Sequence, residues 1–213
     1  MMSKDRQMSQ ARMTLLVFSL ALLMQLILSP AASAAMAQER VREILEAVSA
    51  VIQDPQLQGV DRAAERTQRV QRIIVDAFDF EEMARLTLGA SWDRLTLQQQ
   101  TEFVGLVGNL FERSYSRLVI RILPERDTTY SRESIERDHA SVQTTLVRQK
   151  THEHLPVEYR LIEKGGRWAV FDVVVDGVSL TLNYRAQFDK IIRSSSYGML
   201  VEKIKAKLEQ EHS

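Results

Sequence analysis

The stretch Arg167–Phe188, with the sequence RWAVFDVVVDGVSLTLNYRAQF, is the best starting point for predicting the fold. Its first half, Trp168–Val175, is rich in β-branched and aromatic residues, which predicts a β-strand. Asp176 and Gly177 then supply the turn that ends the strand. The residues after the turn return to helical spacing, so a helix is expected to follow at once.

Strict alternation along this strand makes both of its faces largely apolar. One face would carry Ala169, Phe171, Val173 and Val175, and the other Trp168, Val170, Asp172 and Val174. Such a strand either lies between two layers of protein or turns one face toward an enclosed apolar space. Periodicity alone does not choose between these two arrangements.

Upstream of this strand, apolar residues recur at helical spacing in four segments. The segments run over residues 39–53, 61–77, 80–88 and 97–121. Asp79 and Thr96 stand where N-caps of the last two helices belong. The apolar positions of the longest helix cover about half of its circumference, which predicts contact with more than one neighbour.

After Pro124 the apolar pattern changes to a period of two, which predicts antiparallel strands. The segments are 128–132, 141–148 and 155–163, and Gly165-Gly166 forms a hairpin turn into the Trp168 strand. Two helices follow, the second capped by Ser195 or Ser196. The fold class is therefore α+β, with helices packed on one side of an antiparallel sheet of about four strands.

Two groups of residues resemble the MlaC (toluene-tolerance) family in order and spacing. The downstream group is Trp168, Asp172-Val173-Val174, Asp176-Gly177-Val178-Ser179-Leu180, Asn183-Tyr184-Arg185 and Gln187-Phe188; the upstream group is Phe78-Asp79-Phe80-Glu81-Glu82-Met83-Ala84-Arg85, Leu88-Gly89, Trp92 and Phe103. The resemblance implies a curved, cone-shaped sheet with an apolar interior cavity, similar to the nuclear-transport-factor-like fold. It also implies a periplasmic lipid carrier that exchanges its cargo with an inner-membrane ABC transporter complex and an outer-membrane lipoprotein/porin complex.

The N-terminus has the layout of a secretory signal peptide. Three basic residues precede a 16-residue apolar run, Met13 to Leu28, and a patch of small residues follows Pro30. The run is short for a membrane span, which needs about 20 residues. We therefore predict a signal peptide over residues 1–34, a single lipid-binding domain over residues 35–213, and a periplasmic location.

Composition narrows the classes of function. The chain contains no cysteine, so neither a lipid-modified cysteine nor a disulfide is available. Removing residues 1–34 takes three basic and one acidic residue from the 28 of each, which leaves 25 against 27. With no basic excess, we expect no nucleic-acid partner.

Few residues suggest catalysis or metal binding. His152-Glu153-His154 could offer two metal ligands, but no further ligands are evident nearby, and a solvated hairpin tip is the preferred interpretation. Asp172 and Asp176 could act as an acid/base pair, or one could be a turn residue while the other pairs with Arg167 or Arg185. We expect no cofactor, no metal and no enzymatic activity.

Arg185 is the candidate for the lipid headgroup. A guanidinium group offers forked donors to phosphate oxygens, so Arg185 could hold a phosphate at the opening of the cavity. The same residue near the start of a helix could equally be an ordinary salt-bridge partner.

The predicted cavity wall combines the long helix with the Arg167–Phe188 stretch. Its residues are Phe103, Leu106, Leu110, Tyr115, Val173, Val175, Leu180, Tyr184 and Phe188. The expected function is to enclose phospholipid acyl chains, in a protein that is a monomer. Three alternatives stay open: a hopanoid or other hydrophobic cargo, an enzyme of the same fold that uses Asp172 or Asp176, and an adaptor whose apolar surface binds a protein.

Overall fold

The computed structural model describes the backbone of residues 30–210 and the side chains of residues 37–210. The predicted signal peptide, residues 1–34, falls almost entirely outside the described residues. Within them, no helix combines the length and the hydropathy that a membrane crossing requires.

Residues 30–210 form six α-helices and one antiparallel sheet, in the predicted order of four helices, the strands and two helices. The helices are α1 (Pro30–Gln53), α2 (Ala63–Ala77), α3 (Phe80–Leu88), α4 (Leu97–Ile122), α5 (Leu180–Ser194) and α6 (Tyr197–Gln210). Short 3-10 turns, Pro55–Leu57 and Gly89–Arg94, follow α1 and α3.

The predicted helix caps are present. Asp79 accepts a hydrogen bond from the backbone nitrogen of Glu82 at 2.8 Å. Thr96 and Gln99 form a complete capping box at the start of α4. Ser196, one of the two candidates for the last helix, accepts from the nitrogen of Met199 at 3.1 Å. These local bonds satisfy donors that the first turn of a helix leaves open.

The sheet contains five strands in sequence order, each antiparallel to the next. They are β1 (Arg126–Glu136), β2 (His139–Arg148), β3 (His154–Lys164), β4 (Arg167–Val175) and β5 (Val178–Ser179). The sheet is curved and does not close into a barrel. The predicted α+β class is confirmed, and the strand beyond the expected four is only two residues long.

A β-bulge between β3 and β4 changes which residues share a face. The register shifts between Arg160 and Leu161, so Leu161 lies opposite Val170 while Tyr159 lies opposite Val173. Directly paired residues point to the same side of a sheet. Trp168 and Val170 therefore share a face with Val173 and Val175, and the strict alternation predicted from the sequence is wrong on the N-terminal side of the bulge.

The interior divides into clusters along α4. The N-terminal and central turns of this helix, including Phe103 and Leu110, belong to a cluster with α3, α5 and α6. Its C-terminal end, including Val119 and Leu123, belongs to a second cluster with α1, α2 and the sheet. The helix α4 therefore packs against two hydrophobic clusters, which explains why its apolar face is wide.

Candidate functional site

An apolar cavity of about 110 Å³ lies between α1, the C-terminal half of α4 and the sheet. Apart from the phenol groups of Tyr115 and Tyr159, its wall is made of hydrocarbon side chains. The wall residues are Ile44, Leu45 and Val48 of α1; Ile74 of α2 and Phe78 after it; Tyr115, Leu118, Val119, Ile122 and Leu123 from α4 and its end; Leu146, Leu155, Val157, Tyr159, Val173 and Val175 of the sheet; and Leu180 of α5.

The lining favours apolar contents, because an apolar space contains too few hydrogen-bond partners to hold water well. Binding sites for small molecules usually enclose about 300–1,000 Å³. A two-chain lipid would therefore require the wall of this cavity to move apart. The wall is built from separate helices and the sheet, so such widening needs changes in packing between elements and not unfolding of any one of them.

The structure brings together four of the nine predicted wall residues. Tyr115, Val173, Val175 and Leu180 line the cavity. The other five lie in or against the helical cluster, with Phe103, Leu110 and Phe188 buried and Leu106 and Tyr184 partly buried. Contact with a lipid stays a prediction for all nine.

Sequence reasoning missed the contribution of α1 and the last turns of α4. Ile44 and Val48 lie on the apolar stripe of α1, and Leu118 and Val119 lie on that of α4. The sequence shows these apolar stripes, but the stripe alone does not distinguish a residue that faces a cavity from one that packs in the core.

Asp172 is a structural residue that holds the start of α5. Its side chain is 1% exposed and accepts hydrogen bonds from Ser179 Oγ at 2.6 Å and the Thr181 nitrogen at 3.0 Å. Arg160 Nη1 lies 3.3 Å from Asp172 Oδ2. The predicted pairing of this residue with Arg167 or Arg185 is wrong, because its partner is Arg160, while Arg167 pairs with Asp76 and Arg185 lies beside Gly89.

Asp176, the other carboxylate of the suggested acid/base pair, is exposed in the turn after β4. Its φ of 49° is left-handed, a conformation that aspartate tolerates better than most residues. The two carboxylates therefore occupy different environments, one capping a helix and one in solvent.

Arg185 lies against the backbone of Gly89 and not among the residues that line the cavity. A Cβ atom at Gly89, where φ is 51°, would come within 2.6 Å of Arg185 Nη2. The Leu88-Gly89 and Asn183-Tyr184-Arg185 segments, far apart in sequence, thus meet here because only glycine leaves room for the guanidinium. Among residues 37–210, Arg185 forms no ion pair.

The His152-Glu153-His154 segment lies at the β2–β3 hairpin. His152 has a left-handed φ of 55°, and Glu153 pairs with Arg126 and Arg148. Within the described part of the chain, no group of three or more His, Asp or Glu side chains is arranged to hold a metal ion.

Tyr115 and Tyr159 place phenol groups in the apolar wall. Burial raises the pKa of Tyr115, and the nearby Tyr184 and Asp172 raise it further. Burial also raises the pKa of Tyr159, with a smaller contribution from Tyr130. Both phenols are therefore held in the neutral form.

We expect these two tyrosines to be the last of the five to ionise when absorbance is followed during an alkaline titration. Because the folded pKa lies above the unfolded value of about 10, their contribution to stability is complete below pH 10 and is lost as the pH rises above it. The Tyr115→Phe and Tyr159→Phe variants should each remove one late-titrating group. Ionisation of all five near pH 10 in the folded protein would contradict the prediction.

Comparison with known proteins identifies the family. A family model described as MlaC protein matches residues 42–206. The chain belongs to the MlaC family. Among curated proteins, none matches the chain.

A solved structure shows the same fold. It is a phospholipid-binding protein from Ralstonia solanacearum, determined in complex with a phospholipid. The two chains are 23% identical, the match covers 83% of this chain and 99% of that one, and the TM-score is 0.70. The MlaC family resemblance noted in the sequence is thus confirmed by the family match, and the predicted fold by the structural one.

Proposed function

We propose that this protein is a periplasmic carrier of phospholipid that encloses the acyl chains in the cavity between α1, α4 and the sheet. The observation that carries the proposal is the apolar lining of this cavity. Membership of the MlaC family and the phospholipid bound by the Ralstonia protein of the same fold support it. In this proposal residues 35–213 form a single lipid-binding domain that follows a cleaved signal peptide.

The physical need for a carrier follows from the cost of hydrating lipid tails. Two acyl chains contain about 30 methylene groups, and exposing each to water costs about 0.8 kcal/mol, or on the order of 24 kcal/mol in total. Movement of a free lipid through water is therefore negligible. A protein cavity replaces the bilayer during transfer, provided that its affinity is moderate enough to release the lipid.

The proposed partners are an inner-membrane ABC transporter complex and an outer-membrane lipoprotein/porin complex. The carrier itself then needs no nucleotide, because the transporter would supply any energy. Passage of lipid between these two complexes would contribute to the lipid asymmetry of the outer membrane.

Mass spectrometry of an organic extract of the purified protein tests the proposal directly. We expect about as many moles of phospholipid as of protein in this extract. An extract of protein-free buffer from the last column is the control and should contain none. A hopanoid in its place would keep the carrier role and change the cargo. Absence of any extractable lipid, together with no uptake from vesicles, would overturn the carrier role and favour an adaptor that binds a protein.

A further inference from the structure

Two arginines lie beside the part of the cavity wall formed by the end of α4 and the end of β2. Arg126 begins β1, and its Nη1 donates to the backbone oxygen of Ile122, a wall residue, at 3.0 Å. Its side chain is only 6% exposed. Its Nε has no hydrogen-bond partner among the described residues, although it is buried.

Arg148 stands directly opposite Arg126 in the register of β1 and β2. It follows Leu146, another wall residue, by two positions, so the two side chains share one face of the strand. Both arginines thus project from the cavity face of the sheet, just beyond the apolar wall.

Within residues 37–210, the two arginines share a single acidic partner. Glu153 Oε2 lies 3.3 Å from Arg126 Nη2 and 3.5 Å from Arg148 Nη1. The carboxylates on either side of Arg126 in the sequence have other partners: Glu125 pairs with Lys150 at 3.3 Å, and Asp127 accepts a hydrogen bond from Gln149 at 3.1 Å. The group of Arg126, Arg148 and Glu153 therefore carries one excess positive charge.

A partly paired guanidinium at the margin of an apolar space is well suited to a phosphate group. An unmet buried donor costs free energy, and an anion that accepts from it recovers that cost. Arginine also matches the geometry of phosphate oxygens with two parallel donors. An amphiphile with apolar tails and an anionic head would place each part in a matching environment.

We propose that Arg126 and Arg148 form the subsite for the phosphate of the bound lipid, while the tails occupy the cavity. This inference rests on the proposed carrier function. It places the headgroup at the α4–β1 connection, and not at Arg185 beside Gly89 as the sequence suggested.

The test compares two lipids that differ only in the phosphate-bearing head. The protein is incubated with mixed micelles that hold equal amounts of dioleoyl-phosphatidylglycerol and dioleoylglycerol, and native mass spectrometry measures the ratio of the two bound lipids. The variant is Arg148→Gln, because Arg126 also holds the end of α4 and its loss could affect folding. We expect this variant to lower the ratio of bound phosphatidylglycerol to bound dioleoylglycerol about tenfold and to leave the amount of bound dioleoylglycerol unchanged.

Two further variants sharpen the result. Glu153→Gln removes the competing carboxylate and is expected to raise the ratio. Arg132→Gln is the matched control, since it makes the same change on β1 at an exposed position about 20 Å along the strand, and it should leave the ratio unchanged. A selective loss in Arg185→Gln instead of Arg148→Gln would place the headgroup beside Gly89 and overturn the proposal.

The remaining outcomes separate this inference from the carrier function. If wild-type protein binds both lipids and Arg148→Gln leaves their ratio unchanged, the phosphate subsite is wrong and the carrier function stands. A further outcome is that Arg148→Gln weakens binding of inorganic phosphate to the delipidated protein but does not change the ratio of the two bound lipids. The site would then bind free phosphate, and the proposal fails. If the protein binds neither lipid, the carrier function fails and the subsite fails with it.

Discussion

Arginine in place of Leu118 is expected to weaken lipid binding about 100-fold, so that little lipid co-purifies with the protein. Leu118 lies in the cavity wall on α4, so the substitution would set a cation against the acyl chains. An unpaired charge in an apolar environment costs several kcal/mol, and each 1.4 kcal/mol lowers affinity tenfold. The side chain is only half-buried, so the flexible arginine can reach solvent in the empty protein and the fold should persist.

Leu106→Arg is the matched control on the same helix. Leu106 was expected to line the cavity on sequence grounds, but in the structure it packs at the edge of the helical cluster. We therefore expect this variant to keep its lipid. The readouts are the amount of lipid in an organic extract and the circular dichroism spectrum of each protein. Lipid lost from the Leu106 variant and retained in the Leu118 variant would mean that the tails occupy the helical cluster.

Asp172→Asn is expected to lower the free energy of unfolding by about 3 kcal/mol. The carboxylate accepts from Ser179 Oγ and the Thr181 nitrogen and pairs with Arg160, all at a buried position. Asparagine replaces one carboxylate oxygen by an NH2 group, which cannot accept a hydrogen bond. At least one of the three groups that donate to Asp172 would then lose its acceptor. Loss of one member of such a buried charged network costs about 3–5 kcal/mol, and asparagine retains part of it.

Urea denaturation measures this effect as a shift of the midpoint at constant slope. Asp176→Asn is the control, since this exposed residue has a left-handed conformation that asparagine also adopts, and its change should stay within about 0.5 kcal/mol. Equal stability of the two variants would show that Asp172 does not anchor α5. Replacing both aspartates with asparagine also tests the enzyme alternative: a carrier would keep lipid binding and exchange, whereas an acid/base enzyme would lose turnover of its hydrophobic substrate.

Much of the architecture could be predicted from local sequence signals. The caps at Asp79 and Thr96 located α3 and α4 to within one residue, and the change to alternating periodicity after Pro124 located the sheet, although α1 begins nine residues before its predicted start and β1 extends beyond 128–132 at both ends. These signals are local, since each depends on residues within one turn or one hairpin. The MlaC resemblance of the Arg167–Phe188 stretch extended them to the family and to the fold.

The cavity wall could be predicted only in part. Phe103 and Tyr115 belong to one apolar face of α4, and nothing in the sequence marks where this face leaves the helical core and meets the cavity. The same limit applies to Arg126 and Arg148, which are 22 residues apart and become neighbours only through the register of β1 and β2.

The sequence by itself determined the α+β class and the boundaries of most elements, because these depend on local spacing and residue type, and it carried the resemblance to the MlaC family. Only the tertiary structure decided which apolar residues surround empty space, which carboxylate caps α5 and which arginines lie beside the wall. Those properties depend on where the β-bulge shifts the register and on which helix packs over which strand. The register shift and the packing of helices on strands are both determined by contacts between segments that are distant in sequence, so no local sequence pattern predicts them.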